Sequence, residues 1–161
     1  MTIDEYNKSV DLFSDNVYRF ILKNAKDEAL AQDVVQDSYE KLWMNYGNVQ
    51  FEKVKSYLFT TAYRTMIDHF RRSKKITNTK DYDYNGHYHN EQYSDISEIL
   101  QQAVSQLPDD QKAAIMLRDY EGYSYKEIAE ITGLNESQVK VYIYRARVFL
   151  KNYIVKVENV A

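Results

Sequence analysis

The chain contains no cysteine. That excludes a disulfide framework and any thiolate-held metal, and it suits a reducing compartment. A single proline and four glycines in 161 residues leave long stretches without a helix breaker. No apolar run approaches the roughly 20 residues needed to span a bilayer, and the N-terminus lacks a basic-then-apolar leader. The expectation is a soluble, cytoplasmic protein with no direct membrane insertion. No glycine-rich phosphate loop or nucleophile motif is present, so neither an enzyme nor a cofactor is expected. The nearest approach to a metal cluster is Asp81, Asp83, His87 and His89. It lies in a polar stretch, where short histidine-rich tracts are compositional signals only, and no metal is expected.

What is present is charge in alternating blocks. The net charge is -3, which looks wrong for a nucleic-acid binder until it is resolved along the chain. Met1–Gln50 has nine acidic and five basic residues, whereas Phe51–Lys75 has seven basic and two acidic. Residues 76–136 are acidic again, and Ser137–Ala161 has five basic residues against one acidic. Screening limits the reach of a distant charge to about 8–10 Å, so local positive patches attract phosphate on an acidic chain. The pattern predicts two kinds of partner.

Apolar residues recur at helical spacing almost throughout. Thr2 and Glu5 have the spacing of a capping box, and Tyr6, Val10, Phe13, Val17 and Phe20 follow along one face. Asp27 can cap a second helix with an apolar stripe through Leu30, Val34, Val35, Tyr39, Leu42 and Trp43. Asn45–Lys55 contains Gly47, loses the period and reads as a loop. A third helix from about Ser56 would bury Leu58, Phe59, Ala62, Met66, Ile67 and Phe70. From Ser73 to about Tyr93 the chain is polar and lacks an apolar stripe, as a linker would. Ile96, Ile99, Leu100, Val104 and Leu107 resume the pattern up to Pro108, and a further helix carries Ala114, Ile115 and Leu117. The fold class is therefore all-α: two small helical domains, over 1–75 and 94–161, joined by a flexible linker over 76–93.

Ser124–Lys151 holds the sharpest local signal. Ser124 and Glu127 form a second capping-box pair, ahead of Ile128, Ala129 and Ile131. Gly133 stands where the helix ends and positive φ is favoured. Asn135 caps the next helix, with Gln138 placed to return the bond. Two short helices around a glycine turn make a helix-turn-helix, whose second helix enters the major groove. That helix carries Ser137, Gln138, Lys140, Val141, Tyr144, Arg145 and Arg147, with no carboxylate between Glu136 and Lys151. Its first residues (Ser137, Gln138, Lys140, Val141) are placed for base edges, and Arg145 and Arg147 for phosphate. The alternative is a solvated basic helix on an ordinary bundle.

The helix from Asp27 has a second face. Asp33, Gln36, Asp37 and Glu40 lie at i, i+3, i+4 and i+7, and Asp27–Glu40 holds five acids and no base. Solvated faces more often mix signs, so uniform negative charge points to a basic partner. The third helix is opposite in sign. Arg64, Asp68, Arg71 and Lys75 step along it, with Arg72 and Lys74 beside them. Of the aromatics nearby, Tyr46, Phe51 and Tyr57 are the candidates for stacking on unpaired bases.

These residues resemble a known family. "VYRFILKNAKDEALAQDVVQDSYEKLW" (Val17–Trp43) resembles regions 2.1–2.2 of bacterial sigma factors, and "SYLFTTAYRTMIDHFRR" (Ser56–Arg72) resembles regions 2.3–2.4. "LPDDQKAAIMLRDYEGYSYKEIAEITGLNESQVKVYIYRAR" (Leu107–Arg147) resembles region 4. Two such blocks with a short linker are the layout of the extracytoplasmic-function (ECF) group. The resemblance implies that Asp33, Gln36, Asp37 and Glu40 dock on the β′ clamp of core RNA polymerase. It implies that Asn45, Tyr46, Asn48, Phe51, Tyr57, Arg64, Asp68, Arg71 and Arg72 melt and read the −10 element, with a base flipped out of the stack. It further implies that Ser124 and the exposed face of the last helix read the −35 element, and that region 4 touches the β flap. An anti-sigma factor is the implied inhibitor. Thr65 departs from the family's usual asparagine, and Gln138, Val141 and Tyr142 from its usual recognition-helix residues, so the promoter sequence is not implied. The rival reading is a self-contained helix-turn-helix regulator that binds a palindrome as a dimer and needs no polymerase. The acidic face around Asp37 favours the sigma reading.

Overall fold

A computed structural model describes residues 1–76 and 95–160. The linker segment and the Asp81/Asp83/His87/His89 cluster fall outside the described residues. Among the described residues there are helices and no strand. The chain divides into two compact units, Met1–Asp83 and Tyr84–Ala161, each with its own core.

The first unit is three helices: α1 (Ile3–Ala25), α2 (Glu28–Asn45) and α3 (Val54–Ile76). Short-range chemistry fixes where they start. Thr2 Oγ1 accepts from the Glu5 amide at 3.1 Å while Glu5 Oε1 accepts from the Thr2 amide at 2.8 Å. The Asp27 carboxylate accepts from the Leu30 amide at 3.1 Å, satisfying one of the free donors at the start of α2. Val17, Phe20 and Ile21 of α1 meet Leu30, Ala31, Val34 and Leu42 of α2 and Val54, Leu58, Phe59, Ala62 and Met66 of α3 in the buried core. The rings of Phe20 and Phe59 lie 5.4 Å apart at its centre.

Two hydroxyls fasten α2 to α1. Tyr39 donates to the Ser9 carbonyl at 2.8 Å, and Tyr6 donates to the Tyr39 carbonyl at 3.1 Å. Burial pushes the Tyr39 hydroxyl above its ordinary pKa, so it stays protonated and able to donate at any physiological pH.

Three expectations need correction here. The Asn45–Lys55 loop is partly ordered, as two 3-10 turns over Tyr46–Asn48 and Phe51–Lys53. Helix α3 begins at Val54 rather than Ser56, because Val54 is itself buried in the core and is carried there by the helix. It also runs on through Ser73 to Ile76, since nothing in that stretch breaks a helix. Trp43, placed by periodicity in the core stripe, is 48% exposed. Leu42 takes the core position, and the next residue on a helix points about 100° away.

The second unit has four helices: α4 (Asp95–Ser105), α5 (Asp109–Ile115), α6 (Tyr125–Thr132) and α7 (Glu136–Val160). Between α5 and α6 lies a five-residue π turn, Met116–Tyr120, which the sequence pattern does not reveal. Every residue from Lys112 to Leu117 is buried, a run that begins in α5 and ends in the first two residues of the π turn. The chain then reverses at Gly122 (φ 75°), and the Arg118 side chain steadies the reversal by donating to the Tyr123 carbonyl at 2.9 Å. Ile128 and Ile131 of α6 and Val139, Ile143 and Ala146 of α7 complete the core.

Both capping boxes expected here form. Ser124 and Glu127 exchange bonds of 3.0 and 3.1 Å. Asn135 and Gln138 exchange bonds of 2.8 and 3.0 Å. Gly133 ends α6 at φ 79°, its amide returning to the Ala129 carbonyl at 2.9 Å. A Cβ built at Gly133 would meet nothing within 4 Å. Gly133→Ala should therefore cost only the left-handed backbone penalty, about 1–2 kcal/mol. Amide hydrogen exchange of α6 and α7 reads that loss. Unchanged protection would show that the turn tolerates a side chain.

Candidate polymerase and nucleic-acid surfaces

On α2, Asp33, Gln36, Asp37 and Glu40 are all exposed, opposite the buried Leu30, Ala31, Val34 and Leu42. None of the three carboxylates meets a cation at ion-pair distance among the described residues. The structure brings these four side chains onto one ridge of a rigid helix.

The proposed −10 residues form a second group on the same unit. Asn45 and Asn48 are exposed, and Asn48 donates to the Asn45 side chain at 2.9 Å. Tyr46 is half-buried and stacks on Trp43 with ring centroids 5.3 Å apart and planes at 21°. Tyr6 meets Trp43 edge-on at 5.1 Å. Phe51 is half-buried beneath the Lys8 ammonium, 5.6 Å from its ring, and Tyr57 is half-buried. Arg64, Asp68, Arg71 and Arg72 are exposed along α3, with Arg71 just at ion-pair distance (4.0 Å) from Asp68. Lys41 of α2 donates to Thr65 of α3 at 3.3 Å, an exposed link between the acidic and basic helices. Sequence reasoning missed Trp43 as a surface aromatic. Periodicity alone does not separate it from Leu42, because neighbouring pairs such as Leu58 and Phe59 do enter this core together.

On the second unit, Ser137, Gln138, Lys140, Val141, Tyr144, Arg145 and Arg147 are exposed on α7. Tyr144 at 69% and Val141 at 43% are open enough to lie against a ligand. The Gln138 side-chain carbonyl is committed to the Asn135 amide, which leaves its NH2 group for a base. Ser124 is exposed, with its hydroxyl oxygen in the α6 cap. Arg147 differs from the others: its guanidinium donates to Asp119 at 2.8 Å. Beside it the Tyr125 ring has the Arg118 guanidinium 4.7 Å and the Lys140 ammonium 5.8 Å from its centre. Asp119 and Tyr125 escaped the sequence reading because their partners on α7, Arg147 and Lys140, are many residues away, and Arg118 because its ring contact is with Tyr125 across the turn.

The arrangement offers a bare anionic ridge on one unit and basic helices on both. Basic helices with aromatic neighbours neutralise phosphate and stack on bases, whereas an anionic ridge repels nucleic acid and attracts a basic protein surface. Among the described residues no group of three or more histidine or acidic side chains could hold a metal, and no helix is long and apolar enough to cross a membrane.

Comparison with known proteins gives the same division. Residues 10–76 match the family described as Sigma-70 region 2, and residues 92–150 match Sigma-70, region 4. The chain is 32% identical over 156 residues to the ECF RNA polymerase sigma factor SigM of Bacillus subtilis (strain 168), covering 94% of each. It is 33% identical over 142 residues to the RNA polymerase sigma factor SigV of the same organism, covering 86% of this chain and 84% of SigV. Among solved structures it resembles the sigma factor RpoE of Bartonella quintana, crystallised with the anti-sigma factor NepR. The TM-score is 0.78 at 24% identity, over 94% of this chain and 98% of RpoE. It also resembles CnrH in complex with the cytosolic domain of CnrY, with a TM-score of 0.68 at 19% identity, over 94% of this chain and 88% of CnrH. At those identities the two structures bear on the fold alone.

Proposed function

This chain belongs to the sigma-70 family as an ECF-type sigma factor, an alternative sigma factor directing transcription initiation, and on that footing we propose how its surfaces divide the work. It acts stoichiometrically in the cytoplasm, without cofactor, as the subunit that lends promoter specificity to core RNA polymerase. Its domains are a core-binding and −10 domain over 1–75, a linker over 76–93 and a −35 domain over 94–161. The ridge of Asp33, Gln36, Asp37 and Glu40 docks on the β′ clamp. Arg64, Arg71 and Arg72 neutralise the backbone at the −10 element while Tyr46, Phe51 and Tyr57, with Asn45, Asn48 and Asp68, line the path of the unpaired strand. Helix α7 enters the major groove of the −35 element with Ser137, Gln138, Lys140 and Val141 towards base edges. Ser124, Tyr144, Arg145 and Arg147 lie towards the backbone, and the same unit touches the β flap. An anti-sigma factor is the partner that would withhold the chain from polymerase, as NepR and CnrY accompany the structural relatives.

One observation carries this reading: an unpaired anionic ridge on the same chain as a helix-turn-helix whose second helix carries no carboxylate between Glu136 and Lys151. The anionic ridge has no role in a self-contained dimeric regulator. The test is run-off transcription with purified core polymerase over a library of genomic promoters. Discrete transcripts that depend on the added chain are expected. Their absence, with tight binding of a palindromic duplex by the chain alone, would transfer the assignment to the regulator.

Within this scheme Arg145→Ala should weaken duplex binding to a similar extent on every sequence and lower the salt slope by about one, as a lost phosphate contact does. Lys140→Ala should instead change −35 preference, by about 1–3 kcal/mol for a lost base contact. Profiling start sites of both variants separates the two behaviours, and a sequence-dependent defect in Arg145→Ala would reverse its assignment.

A further inference from the structure

The exposed stripe of α7 that steps through Lys140, Tyr144, Arg147 and Lys151 is basic at three of its four positions. One of those charges is already answered. The π turn directs Asp119 at α7, where its Oδ1 lies 2.8 Å from Arg147 Nη2 although the two residues are 28 apart in sequence. Around the same spot Arg118 and Lys140 converge on the Tyr125 ring, so three cations gather about one tyrosine and one carboxylate. The pair is open: the Arg147 side chain is 49% and the Asp119 side chain 44% exposed. An ion pair so exposed contributes little to stability, and a phosphate oxygen can reach the guanidinium as readily as the carboxylate does.

We propose that Asp119 is a positioning residue that occupies Arg147 as a stand-in for a DNA phosphate, so that Arg147 binds the promoter backbone only by exchanging the carboxylate for the phosphate. This rests on the reading of α7 as the duplex-facing helix. The exchange lowers the yield of each Arg147–phosphate contact, because an existing charge-assisted bond is lost as the new one forms. It therefore weakens adherence to arbitrary duplex, where nothing else holds α7 in the groove. On a matched site base contacts fix the helix and the exchange completes.

The test is a double-mutant cycle on the full chain: wild type, Asp119→Asn, Arg147→Ala and the double variant. Each is titrated with a labelled non-promoter duplex across a salt series, alone and on core polymerase. Asp119→Asn should bind about three- to tenfold tighter at low salt, with the slope of log affinity against log salt steeper by about one, the signature of one added phosphate contact. In the Arg147→Ala background the same Asp119→Asn change should leave affinity and slope unaltered. A gain that survives in that background reflects removal of a negative charge at a distance and overturns the proposal, as does an unchanged or weakened Asp119→Asn. Failure of all four proteins to bind any duplex, alone or on polymerase, overturns the assignment of α7 as well. A merely structural role for the ion pair would shift denaturation midpoints and leave the salt slope in place.

Discussion

Asp37→Lys should abolish recovery of core RNA polymerase in a pull-down with the tagged chain. Asp37 lies at the centre of the four-residue ridge on α2, exposed and without an ion-pair partner among the described residues. Its reversal replaces an attraction to a basic surface by a repulsion, and like charges brought together at an interface cost several kcal/mol. That corresponds to at least a hundredfold weaker binding. Because the side chain is exposed, the fold should be unaffected, and the variant should keep the wild-type helical circular dichroism. Asp37→Asn, which removes charge without reversing it, should fall between the two. Normal recovery of polymerase by the lysine variant would remove the ridge from the interface.

The second large effect is on stability. Phe59 is fully buried at the meeting of the three helices of the first unit, against Phe20. Truncation to alanine leaves a cavity in a domain too small to collapse around it, at a cost of about 3–5 kcal/mol. Small domains begin near the lower end of the usual 5–15 kcal/mol, so Phe59→Ala should leave the first unit about 0–2 kcal/mol of stability and a measurable fraction of it unfolded at 37 °C. The single tryptophan reports this, since half-exposed Trp43 touches Tyr6 and Tyr46 in that unit and its emission should shift further to the red when those contacts are lost. The second unit shares no core residue with Phe59, and hydrogen exchange of α6 and α7 should remain near wild type. An unshifted Trp43 emission at 37 °C would mean that the core repacks.

How much of this was visible beforehand follows the range of the forces involved. Helix starts were legible at Thr2, Asp27, Ser124 and Asn135 because a cap is an exchange between residues two or three apart. Gly133 was legible for the same reason. The acidic ridge on α2 and the basic stretch of α7 between Glu136 and Lys151 needed only helical periodicity. What escaped depends on residues distant in sequence or on competition between neighbours. Leu42 and Trp43 are both apolar, and only the packed core decides which enters it. Lys112–Leu117 are buried in a row because helices later in the chain pack on α5, and no periodic stripe marks the π turn that starts within the run. The Arg147–Asp119 bond exists only once that turn has formed, so the arginine read simply as a phosphate contact. Periodicity placed Val35 and Phe70 in the core, and both are half-buried, at its margin.

The two tyrosine hydroxyls that join α1 and α2 have a consequence for assembly. Each holds a main-chain carbonyl of the neighbouring helix, so α2 can neither roll nor slide without breaking a bond from a buried or half-buried donor. The backbone that carries the anionic side chains at positions 33, 37 and 40 is thus set before any encounter. Association then loses little conformational freedom on this side of the contact, and whatever ordering the complex requires falls on the partner.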